Sequence, residues 1–471
     1  STTADTASPV AGGLQVGQYK LQPCECHVFH HARTLLSNTL LPFFVALNSQ
    51  QRNRGMERPL GVRPPEPLGL APSFGFGDRL GLATPGHLAA WKLSGHGIQP
   101  IFAQQSIREM NRTARSPEMV IGDVQAVLEK ERFSERWCAD ADHLKTTSDV
   151  KQTVAAGFVF FTIDPSDYVD PLADSYGESD LDSKLDDEHH ELNWVKQYQG
   201  RKITLADGVL IEFDRVTVHR ALIKYGRAVA HTIAMSREIE SAMNALGKNF
   251  EIELSVDETP QPTTPAEHFI IAEQCLHAGI KLVSLAPRYV GDFEKGIDFK
   301  GDRIAFSHSL QEHATIAQHL GPYKLSLHSG SDKLSIYEDF ARITQGLFHV
   351  KTAGTSYLEA LRVTARHDVR LFREMVRFSR TRFDTDRATY HVSAQLAAAP
   401  DPDSVSDRDL ETAYLDRNDG RQILHVSFGS VLNHPELGAA LHEHLRMHPE
   451  THCEILSEHF QKHLEPLAAG C

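Results

Sequence analysis

The sequence predicts an α/β protein, a (β/α)8 TIM-type barrel with an insertion after its fourth strand and N- and C-terminal elaborations. Three observations predict it. Short apolar runs alternate with helical patterns eight times between about residues 73 and 354, the order expected of a parallel sheet. The polar, chemically competent residues gather at the C-terminal tips of those runs, where a barrel carries its site. An open doubly wound sheet would want a glycine-rich phosphate turn early in the chain, and no convincing one is found.

The elements follow in order. Residues 1–64 read as an N-terminal extension, 65–390 as the barrel with an insertion over 167–248, and 391–471 as a mostly helical C-terminal region. The first strand is Ser73 to Arg79, where Phe74 and Phe76 share one face and the glycines take the other. Thr84-Pro85 opens a helix, with Thr84 expected as the cap. The second strand is Gln99 to Gln105, followed by a helix from Ser116-Pro117 with Val120, Val124, Val127 and Leu128 on a stripe. The third strand carries Ala139 to Lys145 and the fourth Gly157 to Pro165.

The insertion begins with an acidic stretch, Asp167 to Leu192, read as loop and frayed helix. Lys202 to Phe213 reads as a hairpin around Asp207-Gly208. A long helix from about Arg215 to Leu246 returns the chain to the barrel. The fifth strand, Phe250 to Asp257, alternates strictly, with its acidic set facing inward. Thr264-Pro265-Ala266-Glu267 fits a capping box, and Gly279 ends that helix. The sixth, seventh and eighth strands are Lys281 to Arg288, the Tyr323 to His328 run and Leu347 to Gly354. In the C-terminal region, Gln422 to Val431 is strand-like, and His442 to Leu464 is amphipathic. The region is expected to pack on the barrel or to join copies in a homo-oligomer.

Composition narrows the function classes. The 471 residues carry a net charge of −14, which argues against a nucleic-acid partner, since phosphate binding needs a basic face. No apolar run reaches membrane-spanning length. Ser1 to Gly13 lacks a basic-then-apolar signal layout, so the expected location is cytoplasmic and the first dozen residues are expected to be poorly ordered. The six cysteines, Cys24, Cys26, Cys138, Cys275, Cys453 and Cys471, are expected to be reduced. Most of the 27 histidines, such as His308, His313 and His319, read as surface or helix residues.

His143 and His328 fall at the C-terminal ends of the third and seventh strands, where neutral imidazoles could converge on a metal. Asp142 precedes His143, and a strand end can turn both residues toward one site. Glu253 is an inward carboxylate that either pairs with Lys351 or Arg288 or transfers protons. Asp164 is another inward acid, with helix-capping, supporting and substrate-contacting roles open. Arg288, Lys333 and Lys351 either hold a substrate carboxylate or neutralise the inward acids. Ser329 and Ser331, flanking Gly330, offer donors to sugar oxygens. Asp257 and Glu258 read equally well as turn residues.

At these residues the chain resembles the tagaturonate/fructuronate epimerase family. The strings that carry the resemblance are Gly77 to His87, Ala139 to Lys145, Ser284 to Arg288, Lys324 to Lys333 and His425 to Leu432. It implies a divalent-metal-dependent epimerase of keto-hexuronates, with related enzymes used on neutral ketohexoses such as fructose and tagatose. A weaker likeness to class II metal aldolases sets Asp142-His143, Glu253 and His328-Ser329-Gly330-Ser331 beside their site residues. That likeness departs near the sixth strand, where Ala286-Pro287-Arg288 offers no third histidine. His143 and His328 are then expected on a metal such as zinc, manganese, nickel or cobalt. The third ligand is expected among Asp298, Glu294, Asp164 and His349, or a substrate or water oxygen. Epimerisation at carbon 4 (ketose numbering) would run by retro-aldol cleavage and re-closure or by proton transfer, with Asp142 accepting and Glu253 donating the proton. A true aldolase and a non-catalytic sugar-binding barrel are the alternatives.

Overall fold

The computed structural model of the protein describes residues 62–188 and 193–471. Most of the expected N-terminal extension, with Cys24 and Cys26, lies outside the described residues. So does the tail of the acidic stretch at 189–192.

The apolar runs form eight parallel strands that close into a barrel. They are β1 (Ser73–Gly77), β2 (Gln99–Ser106), β3 (Cys138–Leu144), β4 (Phe160–Ile163), β7 (Glu251–Ser255), β8 (Leu282–Ala286), β9 (Lys324–Leu327) and β10 (Phe348–Thr352). Around the barrel the order is β1-β10-β9-β8-β7-β4-β3-β2, so each strand neighbours its predecessor among the eight and β1 pairs with β10 to close the ring. Between β4 and β7 the antiparallel pair β5 (Lys202–Thr204) and β6 (Leu210–Glu212) forms the hairpin. Asp207 and Gly208 both take positive φ at its tip, the conformation a tight hairpin turn demands.

Local chemistry starts the helices. Thr264 and Glu267 make the reciprocal capping box ahead of Pro265–His277, and Thr146 with Asp149 makes another ahead of Thr147–Ala156. Ser116 caps Pro117–Lys130 through Met119 N–H. Thr84 is not a cap: the helix Thr84–Ser94 begins at it, and Ala83 is the cap residue. The Asp78 carboxylate does the work of organising this entry, accepting the N–H groups of Leu80, Gly81 and Ala83. The long return helix spans Arg215–Ala245 and buries Val218, Leu222, Tyr225 and Val229.

The run Gln422 to Val431 is helical, not a strand: Asn418–Val426 and Phe428–Leu432 meet at Ser427. Ile423, Leu424, Val426, Phe428 and Val431 are all buried in the C-terminal core. Across the break at Ser427, Leu424, Val426 and Phe428 alternate with His425, Ser427 and Gly429, which gives the run a strand's period of two. The final helix, Pro449–Gly470, lays Phe460 against Phe74, Phe76 and His87. Gly86 permits this approach, since a Cβ there would stand 2.4 Å from the Leu456 Cβ. His313 is buried rather than superficial, with its Nδ1 2.8 Å from His268 Nδ1. No described helix is long and apolar enough to cross a membrane. The barrel and the C-terminal helices belong to one compact unit, Glu57–Cys471.

Candidate active site

A cavity of about 580 Å³ opens where the strands end, lined among others by Asp142, His143, Asp257, His328 and Arg288. At its acidic end His143, Asp257 and His328 each turn one ligand atom inward, and those atoms lie within 4.8 Å of one another.

Backbone geometry brings Asp142 and His143 there together. Consecutive strand residues face opposite ways, but the β3–β4 register shifts between Ala141 and Leu144, and His143 takes φ 53°. This left-handed residue rotates the strand end, and His143 Nδ1 comes 2.8 Å from Asp142 Oδ1. A carboxylate only accepts, so Nδ1 carries a hydrogen and Nε2 is the ring nitrogen left for another partner. The same logic holds across the barrel. His328 Nε2 lies 2.6 Å from Glu253 Oε1, which leaves Nδ1 buried, without a hydrogen-bond partner among the described residues and 3.5 Å from Asp257 Oδ1. An imidazole oriented by a carboxylate on one nitrogen and open on the other is the arrangement that metal-binding histidines adopt.

Beneath this end sits Lys351, fully buried. Its Nζ lies 2.7 Å from Asp140 Oδ2, 2.7 Å from Asp142 Oδ1 and 2.8 Å from Glu253 Oε1, and it donates to Thr162 Oγ1 at 2.5 Å. Burial alone would raise the Asp142 and Glu253 carboxyls. His143 and Lys351 hold Asp142 well below the usual range instead, and Lys351 and His328 do the same for Glu253. The acids act in turn on the rings: burial lowers His143, but Asp142, Asp164 and Glu258 outweigh it and lift the imidazole to about 10. A field that strongly favours a protonated ring favours a cation in the same place. Two imidazoles and a carboxylate suit a divalent ion of the zinc, manganese, cobalt or nickel class. The residues present therefore fit a divalent metal.

The structure brings together some of the expected residues and separates others. Glu253 lies behind His328, fully buried; Ser284 donates to its second oxygen, and it pairs with Lys351 rather than Arg288. Arg288 lines the cavity, but its Nη1 donates to the carbonyls of Tyr289 and Gly291. Ser329 accepts a hydrogen bond from Lys295 Nζ at 2.7 Å, and Ser331 accepts from Ala353 N–H. Lys333 Nζ donates to three backbone carbonyls, those of Glu294, Ile297 and Ser331. None of the four third-ligand candidates joins the two histidines. Asp298 is exposed and accepts from Ser335, whereas Glu294 accepts from Ser393 and Gln422. His349 is deep in the barrel, 3.0 Å from Ser73 Oγ, and Asp164 accepts Ser166 N–H beside Lys145. Asp257 is the carboxylate whose oxygen lies within 4.8 Å of a ring nitrogen of each histidine. The alternation of Phe250 to Asp257 already pointed it inward; its place at the strand end made a turn role look equally good.

The sequence profile of the tagaturonate epimerase family (UxaE) matches residues 31–467. The tagaturonate/fructuronate epimerase of Thermotoga maritima is 41% identical over 403 residues, covering 86% of this chain and 82% of that protein. The chain belongs to the tagaturonate epimerase family. Its fold matches a glycerol-bound crystal structure of the fructuronate-tagaturonate epimerase of Cohnella laeviribosi with a TM-score of 0.82 at 35% identity, over 87% of this chain and 83% of that one. The native structure of the same Cohnella enzyme gives 0.81 at 35% identity, over 86% and 83%. The protein is thus an epimerase, a carbohydrate isomerase.

Acids and bases share the epimerase's cavity: Glu109 pairs with Arg79, and Glu258 lies 3.5 Å from Arg108. The cavity wall also carries the basic residues Arg79, Arg108, Lys295 and His425. Sequence reasoning missed all four as site residues. Lys295 and Arg108 lie outside the strand tips that had been searched, and only the strings around Arg79 and His425 had marked those two.

Proposed function

We propose that the protein interconverts D-tagaturonate and D-fructuronate by inverting carbon 4, with a divalent metal held by His143, Asp257 and His328. The observation that carries this reading is the convergence of those three residues on one cavity in a chain of this family. A divalent cation there supplies positive charge beside the ketone and hydroxyl oxygens, where negative charge develops.

The chemistry of the substrate favours cleavage and re-closure. The hydrogen on carbon 4 is not adjacent to the carbonyl at carbon 2, so its direct removal is poorly assisted. Breaking the bond between carbons 3 and 4 avoids this. Asp142 Oδ1 is taken by His143 and Lys351, whereas Oδ2 has a single 3.4 Å bond from Gln104. We assign Oδ2 to accept the proton of the carbon-4 hydroxyl as that oxygen becomes an aldehyde. The bonding pair moves toward the ketone, the aldehyde turns about the bond between carbons 4 and 5, and the bond re-forms on the other face with return of the proton. Glu253 acts in this scheme through His328, holding the ring so that Nδ1 faces the cavity. Neutral ketohexoses share the reacting atoms and are secondary substrates in this reading.

Turnover of D-tagaturonate in D2O, followed by proton NMR, tests the proposal. Expected is D-fructuronate that keeps its original hydrogen on carbon 4, because that hydrogen stays on carbon throughout cleavage. Deuterium at carbon 4 would overturn the cleavage route in favour of direct deprotonation, and no fructuronate from metal-loaded protein would overturn the function.

A further inference from the structure

Lys295 stands on a segment pinned from both sides. The Glu294 side chain accepts from Ser393 and Gln422 and pairs with Lys300 at 3.1 Å. Although burial opposes its charge, these partners hold the Glu294 carboxyl at about 2. Lys333 Nζ takes the carbonyls of Glu294 and Ile297, and Arg421 Nε donates to Gly296 O at 2.8 Å. A backbone fixed this fully aims its one free side chain. The Lys295 ammonium reaches Ser329 Oγ and, among the described residues, makes no ion pair. An ammonium has three donors, so two remain for a ligand.

Two further groups face the same wall. Arg79 is buried over the Phe428 ring and paired with Glu109 at 2.5 Å, yet among the described residues its Nη1 has no hydrogen-bond partner. His425 is buried, packs against Gly296 and Gly354, and its Nδ1 has no hydrogen-bond partner among the described residues. Burial, then Arg79 and Lys295, hold its ring well below the usual histidine value, so it stays uncharged. Two cations with spare donors and an uncharged imidazole mark an anion site. The other basic residues named at the rim have partners: Lys351 buried carboxylates, Arg108 the Glu258 carboxylate at 3.5 Å, and Lys333 and the Arg288 Nη1 backbone carbonyls.

We propose that Lys295, Arg79 and His425 form the subsite for the carboxylate of a keto-hexuronate, and that Lys295 separates the sugar acid from the neutral ketose. The inference rests on the substrate class proposed above. It fixes the polarity of binding: the reacting carbons lie toward His143 and His328, and the carboxylate lies toward these three residues.

The test is calorimetric titration of metal-loaded wild type, Lys295→Met and Lys295→Arg with D-tagaturonate and with D-tagatose, which carries CH2OH in place of the carboxylate. A hydrogen bond to a charged group is worth about 1.5–3 kcal/mol, so Lys295→Met should weaken tagaturonate roughly 10–100-fold. D-tagatose binding should not change, and Lys295→Arg should recover most of the loss. Unchanged tagaturonate affinity in Lys295→Met, or an equal loss for both sugars, would overturn the subsite. A wild type that prefers tagaturonate only while Lys295 is present, but does not epimerise it, would uphold the subsite and overturn the proposed function.

Discussion

Glu253 Oε1 lies 2.6 Å from His328 Nε2, and this contact decides which nitrogen of the ring meets the cavity. The carboxylate accepts the Nε2 hydrogen, and the buried Nδ1 is turned toward Asp257. Glu253→Gln keeps an acceptor but loses the charge that pairs with Lys351. Losing such a support for a metal-binding histidine typically costs roughly 10–100-fold in metal affinity. The expected result is weaker metal binding in a competition titration, with turnover largely restored at saturating metal. Loss of turnover that no added metal restores would assign Glu253 to the chemistry itself.

Asp142→Asn separates proton transfer from metal binding at the neighbouring residue. The asparagine oxygen still accepts from His143 Nδ1, so metal content should stay at the wild-type level. Turnover should fall by about 10²–10⁴-fold, the usual contribution of a positioned proton acceptor. Metal analysis and initial rates on one preparation check this, and near-wild-type rates would remove Asp142 from the mechanism.

Lys351→Met leaves Asp140, Asp142 and Glu253 buried without their shared cation. Removing one partner of a buried ion cluster costs about 3–5 kcal/mol. The denaturant midpoint should fall accordingly. A variant as stable as wild type would show that the three carboxylates do not depend on this ammonium.

Acid should weaken the fold through histidines buried in the neutral form. Burial and then the His313 imidazole keep His268 well below its usual value, and burial brings His313 down to about 4. The unfolded chain takes up these protons near pH 6.5 and the folded chain does not, so the unfolded state binds more protons as pH falls from 6.5 to 4. Stability therefore drops across that window, by about 3 kcal/mol for His313 alone. His313→Gln should flatten the pH dependence of the urea midpoint between 6.5 and 4. An unchanged slope would contradict the assignment.

The barrel could be read from the chain because its signals are local. Strand alternation, Thr264-Pro265 and Asp207-Gly208 each act within a few residues. Asp142, His143, Glu253 and His328 were visible for the same reason, as polar residues on or at the ends of apolar runs. What stayed hidden depends on distant partners. The segment holding Lys295 is pinned by Ser393, Arg421 and Gln422, which lie about a hundred residues onward and show no periodicity that points back to it. The positive φ of His143 has only a weak residue-type signal, because histidine adopts that region more often than most residues but far less readily than glycine. Two short helices that meet at Ser427 read as one strand, because apolar and polar residues alternate from Leu424 to Gly429 across the junction.

The central claim is that His143, Asp257 and His328 hold one metal on which epimerisation depends. Metal-stripped wild type and Asp257→Ala, each titrated with zinc or manganese in the presence of D-tagaturonate, test it most directly. The account predicts that wild-type turnover returns in proportion to added metal and saturates at one ion per chain, while Asp257→Ala stays inactive at that stoichiometry. Full turnover in stripped wild type, or a normal titration by Asp257→Ala, would contradict it.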